Sequence, residues 1–315
     1  MCEFLSQLIR FLIAACIFGL VMSGCQDQQQ NGPEPSDLDV NREFRIGIVP
    51  EQNIFRQRER YEPLARYLSM KLGLDIELRM LTTYGNIIEE IQTQELDGFF
   101  LGSFTGAVVM KRMGAEPLAR PQNADGISTY RGLIFTRRDS GITTARDMKD
   151  KTFVFPDKAT SAGWLFPLRY FKENDIDDPS SWLGEIFYSG THEDAILDVI
   201  NNRADIGAAK DTIFYRLTVS DNRIVDKLRI LAISAPFPEN TLLVSRGTDE
   251  ALKAKLREAL LTMHQNEEGL QALQKFGAVK FIETSAEDYA PVFEYSKDTG
   301  LNLSNYGAPN NLSAD

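Results

Sequence analysis

Cysteine is scarce in this chain, and Cys2, Cys16 and Cys25 all fall at its beginning. That placement excludes the spaced, even set from which a disulfide framework is built. Histidine is scarcer still, with only His192 and His264, so neither an H-E-x-x-H helix nor a clustered-histidine metal set can form. A G-x-S-x-G elbow is missing too. A catalytic triad assembled from scattered residues stays open, because triads are defined by geometry. These absences argue against an enzyme and offer no site for a metal or cofactor. Positive charge is outnumbered, and the formal net charge of −11 argues against nucleic acid or an anionic membrane surface as the main partner. A negative body can still bind an anion where the site itself supplies local donors. No apolar run beyond the first segment is long enough to cross a bilayer.

That first segment, FLIAACIFGLVM at 11–22, is of signal-peptide length and too short to span a membrane comfortably. Arg10 precedes it and SGC follows, ending at Cys25. Small residues directly before a cysteine look like a bacterial lipobox, although Met22 stands where the pattern usually has leucine. The expectation is a leader over 1–24 and lipidation at Cys25; the alternative is an ordinary secretory signal with a chance cysteine. Residues 25–42 are polar, glutamine-rich and carry both Gly and Pro, which suits an unfolded tether. The protein is therefore expected to be exported and held to a membrane through its lipid alone.

Strand and helix patterns alternate through the rest. FRIGIVP (44–50) reads as a buried strand, YEPLARYLSMKLG (61–73) as an amphipathic helix, DIELRML (75–81) as a strand and NIIEEIQTQEL (86–96) as a helix. GFFLG and TGAVVMKRMG continue the order, which favours a parallel sheet covered by helices. The order then recurs. YGNIIEEIQTQELDGFFLG aligns with HEDAILDVINNRADIGAAK, with Ile88, Ile91 and Asp97 matching Ile196, Val199 and Asp205. EPLARYL resembles FPLRYFK, each with a proline expected near a helix start, where a missing N–H is tolerated. The repeat suggests two related α/β lobes. With LIFTRR and LAISAP as crossing segments, lobe 1 is expected over 43–136 plus 234–315 and lobe 2 over 137–233. Each lobe is expected to hold a mostly parallel sheet flanked by helices, with a hinged cleft between them.

In parallel α/β sheets, ligands bind outside the carboxyl ends of the strands. Four junctions of that kind carry donors. FPDKATSAGW (155–164) offers Thr160, Ser161 and Gly163 where a helix N-terminus, with its free N–H groups and positive dipole, suits an anion. Plain capping is the competing reading. GSFTG (102–106) offers Ser103 and Thr105, TTYGN (82–86) offers Tyr84, and SGTHED (189–194) offers Thr191 and His192. The alignment sets Tyr84 opposite His192. His192 lies in a polar turn and, protonated, would add positive charge and a pH dependence; His264 reads as helix surface.

On IGIVP, YEPLARYL, LDGFFLGS, YRGLIFTRRDSGITTARDMKDKTFVF, DKATSAGWLFPLRYF, SGTHEDAILDVINNRADIGA and SAPFPENTLLV, over about 44–300, the chain resembles the phosphate/phosphite/phosphonate-binding lipoproteins of bacterial ABC transporters. This family has the periplasmic-binding-protein fold. The resemblance implies that Thr160 and Ser161 hold phosphorus-bound oxygens. Ala162 stands where the family has a third hydroxyl and leaves only its N–H. It further implies ligand contacts at Tyr84, His192 and Tyr130. GSFTG departs from the family's Gly-Pro-x-x-Tyr, with Phe104 and Thr105 near the missing tyrosine. Asp211 is the nearest acidic residue for an amino group on a solute tail, beside Lys210 of ambiguous effect. The implied function is capture of a small anionic solute by a monomer that delivers it to ABC permease subunits. Handing the closed form to a sensor kinase, or binding a small heterocycle, are the alternatives.

Overall fold

The structure, a computed structural model, describes residues 43–306. The expected leader, the lipidated Cys25 and the tether lie outside these residues. Strands β1 (Glu43–Ile48), β2 (Asp75–Met80), β3 (Gly98–Leu101) and β4 (Glu116–Gln122) belong to a six-stranded sheet with β12 (Thr241–Val244) and β13 (Lys280–Glu283), in the order β13-β4-β12-β3-β1-β2. A five-stranded sheet is made by β6 (Gly132–Arg137), β7 (Thr152–Phe155), β8 (Glu185–Tyr188), β9 (Ile206–Lys210) and β10 (Leu228–Ile233), in the order β10-β6-β9-β7-β8. The chain passes between the sheets twice. The two crossings pair as a short antiparallel ribbon, β5 (Thr129–Tyr130) with β11 (Phe237–Pro238), in which Tyr130 faces Phe237 across the register.

The repeat read from the sequence reappears in this topology. In each sheet three parallel strands run in the same relative order, β3-β1-β2 and β9-β7-β8. Each then continues through antiparallel partners, β12 beside β3 and β6 beside β9. The sheets are thus mixed rather than mostly parallel, because the strands that border the crossings must run back against the βαβ units. LIFTRR, expected as a crossing segment, lies in a strand of the smaller sheet, whereas LAISAP spans the end of β10 (231–233) and the start of the second crossing (234–236); the crossings lie at about 123–131 and 234–240.

Local chemistry explains the element ends. The long helix Ile54–Leu72 begins earlier than its apolar pattern suggested, because the Asn53 side chain accepts from the N–H groups of Phe55 and Arg56 and so caps it. Pro63 therefore lies inside the helix instead of near its start. The carbonyl it leaves unbonded is that of Glu59, an exposed residue where water can serve. Gly73 ends the helix in the left-handed conformation at φ 66°. Pro167 does stand in the first turn of its helix, Phe166–Glu173. Both faces of the larger sheet are covered. Phe44, Ile46, Ile48 and Phe100 pack with Tyr61, Leu64, Leu68, Leu256 and Leu260 on one side, whereas Phe99 and Leu101 join the core on the other. Strands buried on both faces read as apolar runs, not alternations, which is why GFFL and IGIV were legible. Among the described residues no helix is long and apolar enough to cross a membrane.

Candidate functional site

The carboxyl ends of the six parallel strands meet. Glu51 follows β1, Tyr84 follows β2 and Ser103 follows β3. From the other sheet, Ser161 follows β7, His192 follows β8 and Lys210 ends β9. Ser103 begins the helix Ser103–Met113, and its Oγ lies 2.6 Å from Tyr130 Oη and 2.9 Å from Ser161 Oγ. Three hydroxyls from the larger sheet, the crossing ribbon and the smaller sheet therefore form one hydrogen-bonded chain across the cleft. Its members are almost wholly inaccessible to water. Burial pushes the Tyr130 phenol up, opposed by the nearby Lys210 ammonium and the two serine hydroxyls, so it stays a neutral donor.

Ser161 opens a wide π turn, Ser161–Leu165, that runs directly into the helix Phe166–Glu173. Thr160 precedes it in extended conformation, and its carbonyl accepts from the N–H groups of Trp164 and Leu165. The N–H groups ahead of these belong to an opening turn, which supplies no internal acceptors for them. Glycine at 163 and at 132 lets this turn sit where it does. A Cβ on Gly163 would lie 2.5 Å from the Pro156 ring and 2.7 Å from Thr160 Oγ1. One on Gly132 would lie 2.9 Å from the Ala162 carbonyl oxygen. Ala162 is thus pinned by its backbone against the strand that leaves the ribbon.

Not every expected donor is available. Thr160 Oγ1 donates to the Asp157 carbonyl at 2.8 Å, and Thr105 Oγ1 donates to the Gly102 carbonyl at 3.1 Å. Both hydroxyl protons are committed to shaping turns. Asp211 starts its own helix, where its carboxylate accepts from the Thr212 N–H. Phe104 packs edge-on against Tyr306 with centroids 4.8 Å apart. Tyr84 is buried against His192, ring centroids 6.2 Å apart. Its hydroxyl and Asn240 Nδ2 are buried with no hydrogen-bond partner among the described residues. An unpartnered buried polar group is costly, and such groups mark places where another molecule completes the bonding.

His192 corrects an expectation. It is the first residue of the helix His192–Ile200 and is buried, and the Lys210 N–H donates to its Nδ1 at 3.2 Å. A nitrogen that accepts carries no proton, so the ring is neutral with its proton on Nε2. Burial lowers its pKa from 6.5 to about 4, with Glu51 opposing and Lys210 assisting. The unfolded chain takes up this proton near pH 6.5 and the folded protein only near 4. Stability is therefore fully present above 6.5 and falls across that window, by roughly 3 kcal/mol from this group. Urea midpoints measured from pH 7 to 5 should drop in the native protein and drop less in His192→Asn, whose amide oxygen can replace Nδ1. Equal slopes in the two proteins would refute a buried neutral histidine.

The centre of the cluster is a residue whose role the sequence left ambiguous. Lys210 is 2% exposed. Its Nζ donates to Glu51 at 3.0 Å, to Asn240 Oδ1 at 2.9 Å and to Glu239, and it lies 4.3 Å from the centroid of the Tyr130 ring. Two carboxylates raise its pKa despite burial. Glu51, which burial alone would push up, is brought down to about 2 chiefly by that ammonium. Glu51, Glu239 and Asn240 were missed as site residues. Their only sequence signals were charged or polar residues at the ends of the apolar runs IGIVP and APFP, together with a lysine closing IGAAK.

The cleft edges touch as well. Glu193 accepts from the Asn53 N–H at 2.9 Å and from Arg56 at 3.4 Å, and Arg216 donates to Gln52 at 3.3 Å. Among the described residues no group of three or more metal-ligating side chains occurs.

Two mixed sheets joined by a double crossing, with buried polar groups where their strand ends face each other, define a periplasmic solute-binding fold. The model of the ABC transporter phosphonate periplasmic substrate-binding proteins matches residues 46–289, and the chain belongs to that family. Its members are exported proteins that bind solutes for transport. The phosphonates-binding periplasmic protein of Escherichia coli is 22% identical over 254 residues, 79% of this chain and 74% of that protein. The phosphate-import protein PhnD of Mycolicibacterium smegmatis is 26% identical over 227 residues, 68% of this chain and 67% of that one. Among solved structures, a binding component of an ABC phosphonate transporter from Pseudomonas aeruginosa superposes with a TM-score of 0.76 at 21% identity. The match covers 82% of this chain and 87% of that one.

Proposed function

We propose that the protein captures a small phosphorus oxyanion, namely phosphate, phosphite or a phosphonate, between lobes 43–131 plus 234–306 and 132–233, and presents it to ABC permease subunits. It acts as a monomer held to the membrane through a lipid on Cys25. The observation that carries the reading is the Ser103–Tyr130–Ser161 hydroxyl chain beside the opening turn of a helix. Such an arrangement offers several short donors to one multi-oxygen anion without spending a full positive charge. Ser161, Ser103 and Tyr130 hold the oxyanion with the N–H groups of Ala162 and Gly163. Tyr84 completes the shell with its unpartnered hydroxyl, and His192 supports the wall. Thr160 serves the turn's shape more than the ligand, and Thr105 and Asp211 stand outside the shell. Neutral donors suit a transport receptor, which must release its solute.

A thermal-shift screen of the full-length chain tests this against phosphate, phosphite, methylphosphonate, sulfate and pyrimidine heterocycles. A ligand at about a hundred times its Kd stabilises by about 2.7 kcal/mol, a shift of several degrees. Response to phosphorus oxyanions over sulfate and heterocycles is expected. Response only to heterocycles, or to none after exhaustive dialysis, would reject the reading.

A further inference from the structure

We infer that Lys210 supplies from within the protein the cation that an aminated solute would otherwise bring, so that the site selects oxyanions whose tail carries no ammonium group. The inference rests on the function proposed above and names its solute class more closely.

An ammonium has three N–H donors. Those of Lys210 meet three acceptors, Glu51, Glu239 and Asn240 Oδ1, and the Tyr130 ring lies against the same Nζ. The first coordination sphere of this cation is complete without any solute. Lys210 therefore offers no proton to an oxyanion; it is the counter-ion of two buried carboxylates. One phenol ring separates it from the anion donors, because the Tyr130 ring that faces Nζ carries the hydroxyl bonded to Ser103. A solute held at Ser103 and Ser161 with an ammonium on a short tail would bring that charge into the same enclosure.

Two outcomes then compete, and both are unfavourable. The second ammonium can lie beside Nζ, where like charges repel and neither is well hydrated. It can instead displace Nζ from Glu51 and Glu239, which leaves a buried lysine with no counter-ion and only the neutral Asn240 Oδ1 of its three acceptors. Asp211, whose carboxylate accepts from the Thr212 N–H in the first turn of its helix, already interacts with Lys210 and Glu239 and so belongs to the charge cluster the second ammonium would meet. His192 is neutral and His264 lies elsewhere, on the short turn Met263–Gln265. The remaining charged groups near the enclosure are Arg60, which acts on Glu51, Arg216, which acts on Glu51 and Glu239, and Asp157, which acts on Tyr84. An uncharged tail of the same size meets none of these costs. Selectivity arises here from a fixed charge that penalises the wrong solute as much as from contacts with the right one.

Calorimetry on the full-length chain with propylphosphonate and 2-aminoethylphosphonate separates charge from size, because the two tails are nearly isosteric. The native protein is expected to bind propylphosphonate at least tenfold more tightly, and methylphosphonate likewise. In Lys210→Ala the two carboxylates lack their counter-ion and the ratio should invert in favour of the aminated solute. Lys210→Met, which fills the space without the charge, should lose the tenfold preference. Equal affinity in the native protein, or exclusion of both longer solutes alike, overturns the inference while binding of methylphosphonate leaves the proposed function standing. A preference that survives in a folded Lys210 variant overturns it as well. Failure of every oxyanion rejects the proposed function and the inference with it. The native-protein comparison needs no variant to fold.

Discussion

Replacing Ser161 by aspartate should abolish oxyanion binding while leaving the protein folded. Ser161 Oγ is 2.9 Å from Ser103 Oγ and almost wholly buried. A carboxylate at this position would sit about 4 Å from any anion sharing the Ser103 and Tyr130 donors. At the effective dielectric of a partly buried pair, two like charges at that distance repel by ~4 kcal/mol, roughly a thousandfold in affinity. The same carboxylate accepts from the Ser103 and Tyr130 hydroxyls and lies at a helix start, where negative charge is favoured. The variant therefore carries its own anion. Its melting temperature without ligand should equal or exceed that of the native protein, and the ligand-induced shift should vanish. Ser161→Ala removes one hydrogen bond and should weaken binding by only about tenfold. Retained affinity in Ser161→Asp, by calorimetry, would move the oxyanion away from this turn.

Lys210→Met should destabilise the folded protein by roughly 3–5 kcal/mol at neutral pH, the usual result of removing one partner from a buried ion cluster. Glu51 is 4% exposed and is kept ionised by the ammonium, with its pKa near 2 rather than 4.5. In the native protein that depressed carboxyl contributes stability above about pH 4.5 that disappears as pH falls toward 2. Without Lys210, burial dominates and raises the same carboxyl. The sign then reverses: the variant's deficit is largest at neutral pH and shrinks as acid protonates Glu51. Urea denaturation at pH 7.5 and 5.5 would show a smaller gap between the proteins at the lower pH. A loss below ~1 kcal/mol at pH 7.5 would mean that water, not Lys210, solvates the carboxylates.

Several features were legible in the linear chain because they depend on neighbours a few residues apart. Apolar runs such as GFFL mark strands buried on both faces, and Gly73 and Gly114 mark helix ends through their left-handed backbone. The alignment of Tyr84 with His192 works because both follow the second parallel strand of their sheet, β2 and β8. Ser103, Ser161 and Tyr130 could be nominated from strand-to-helix junctions and from resemblance to a family. Helix starts were less legible. The helix at Ile54 is capped by one side chain ahead of a polar first turn, so periodicity alone began it too late.

By itself, then, the sequence determined the α/β alternation, the repeat and the junctions that could carry donors, since these follow from short-range pattern and backbone preference. Tertiary structure alone decided which donors are free. Thr160 and Thr105 look the same as Ser161 and Ser103 on paper, yet their protons close turns. It also decided that His192 is a neutral acceptor and that Lys210 is the counter-ion of Glu51 and Glu239, residues 159 and 29 positions away. The physical reason is that protonation and hydrogen-bond commitment depend on burial and on partners brought from distant segments. Neither quantity exists until the two sheets face each other.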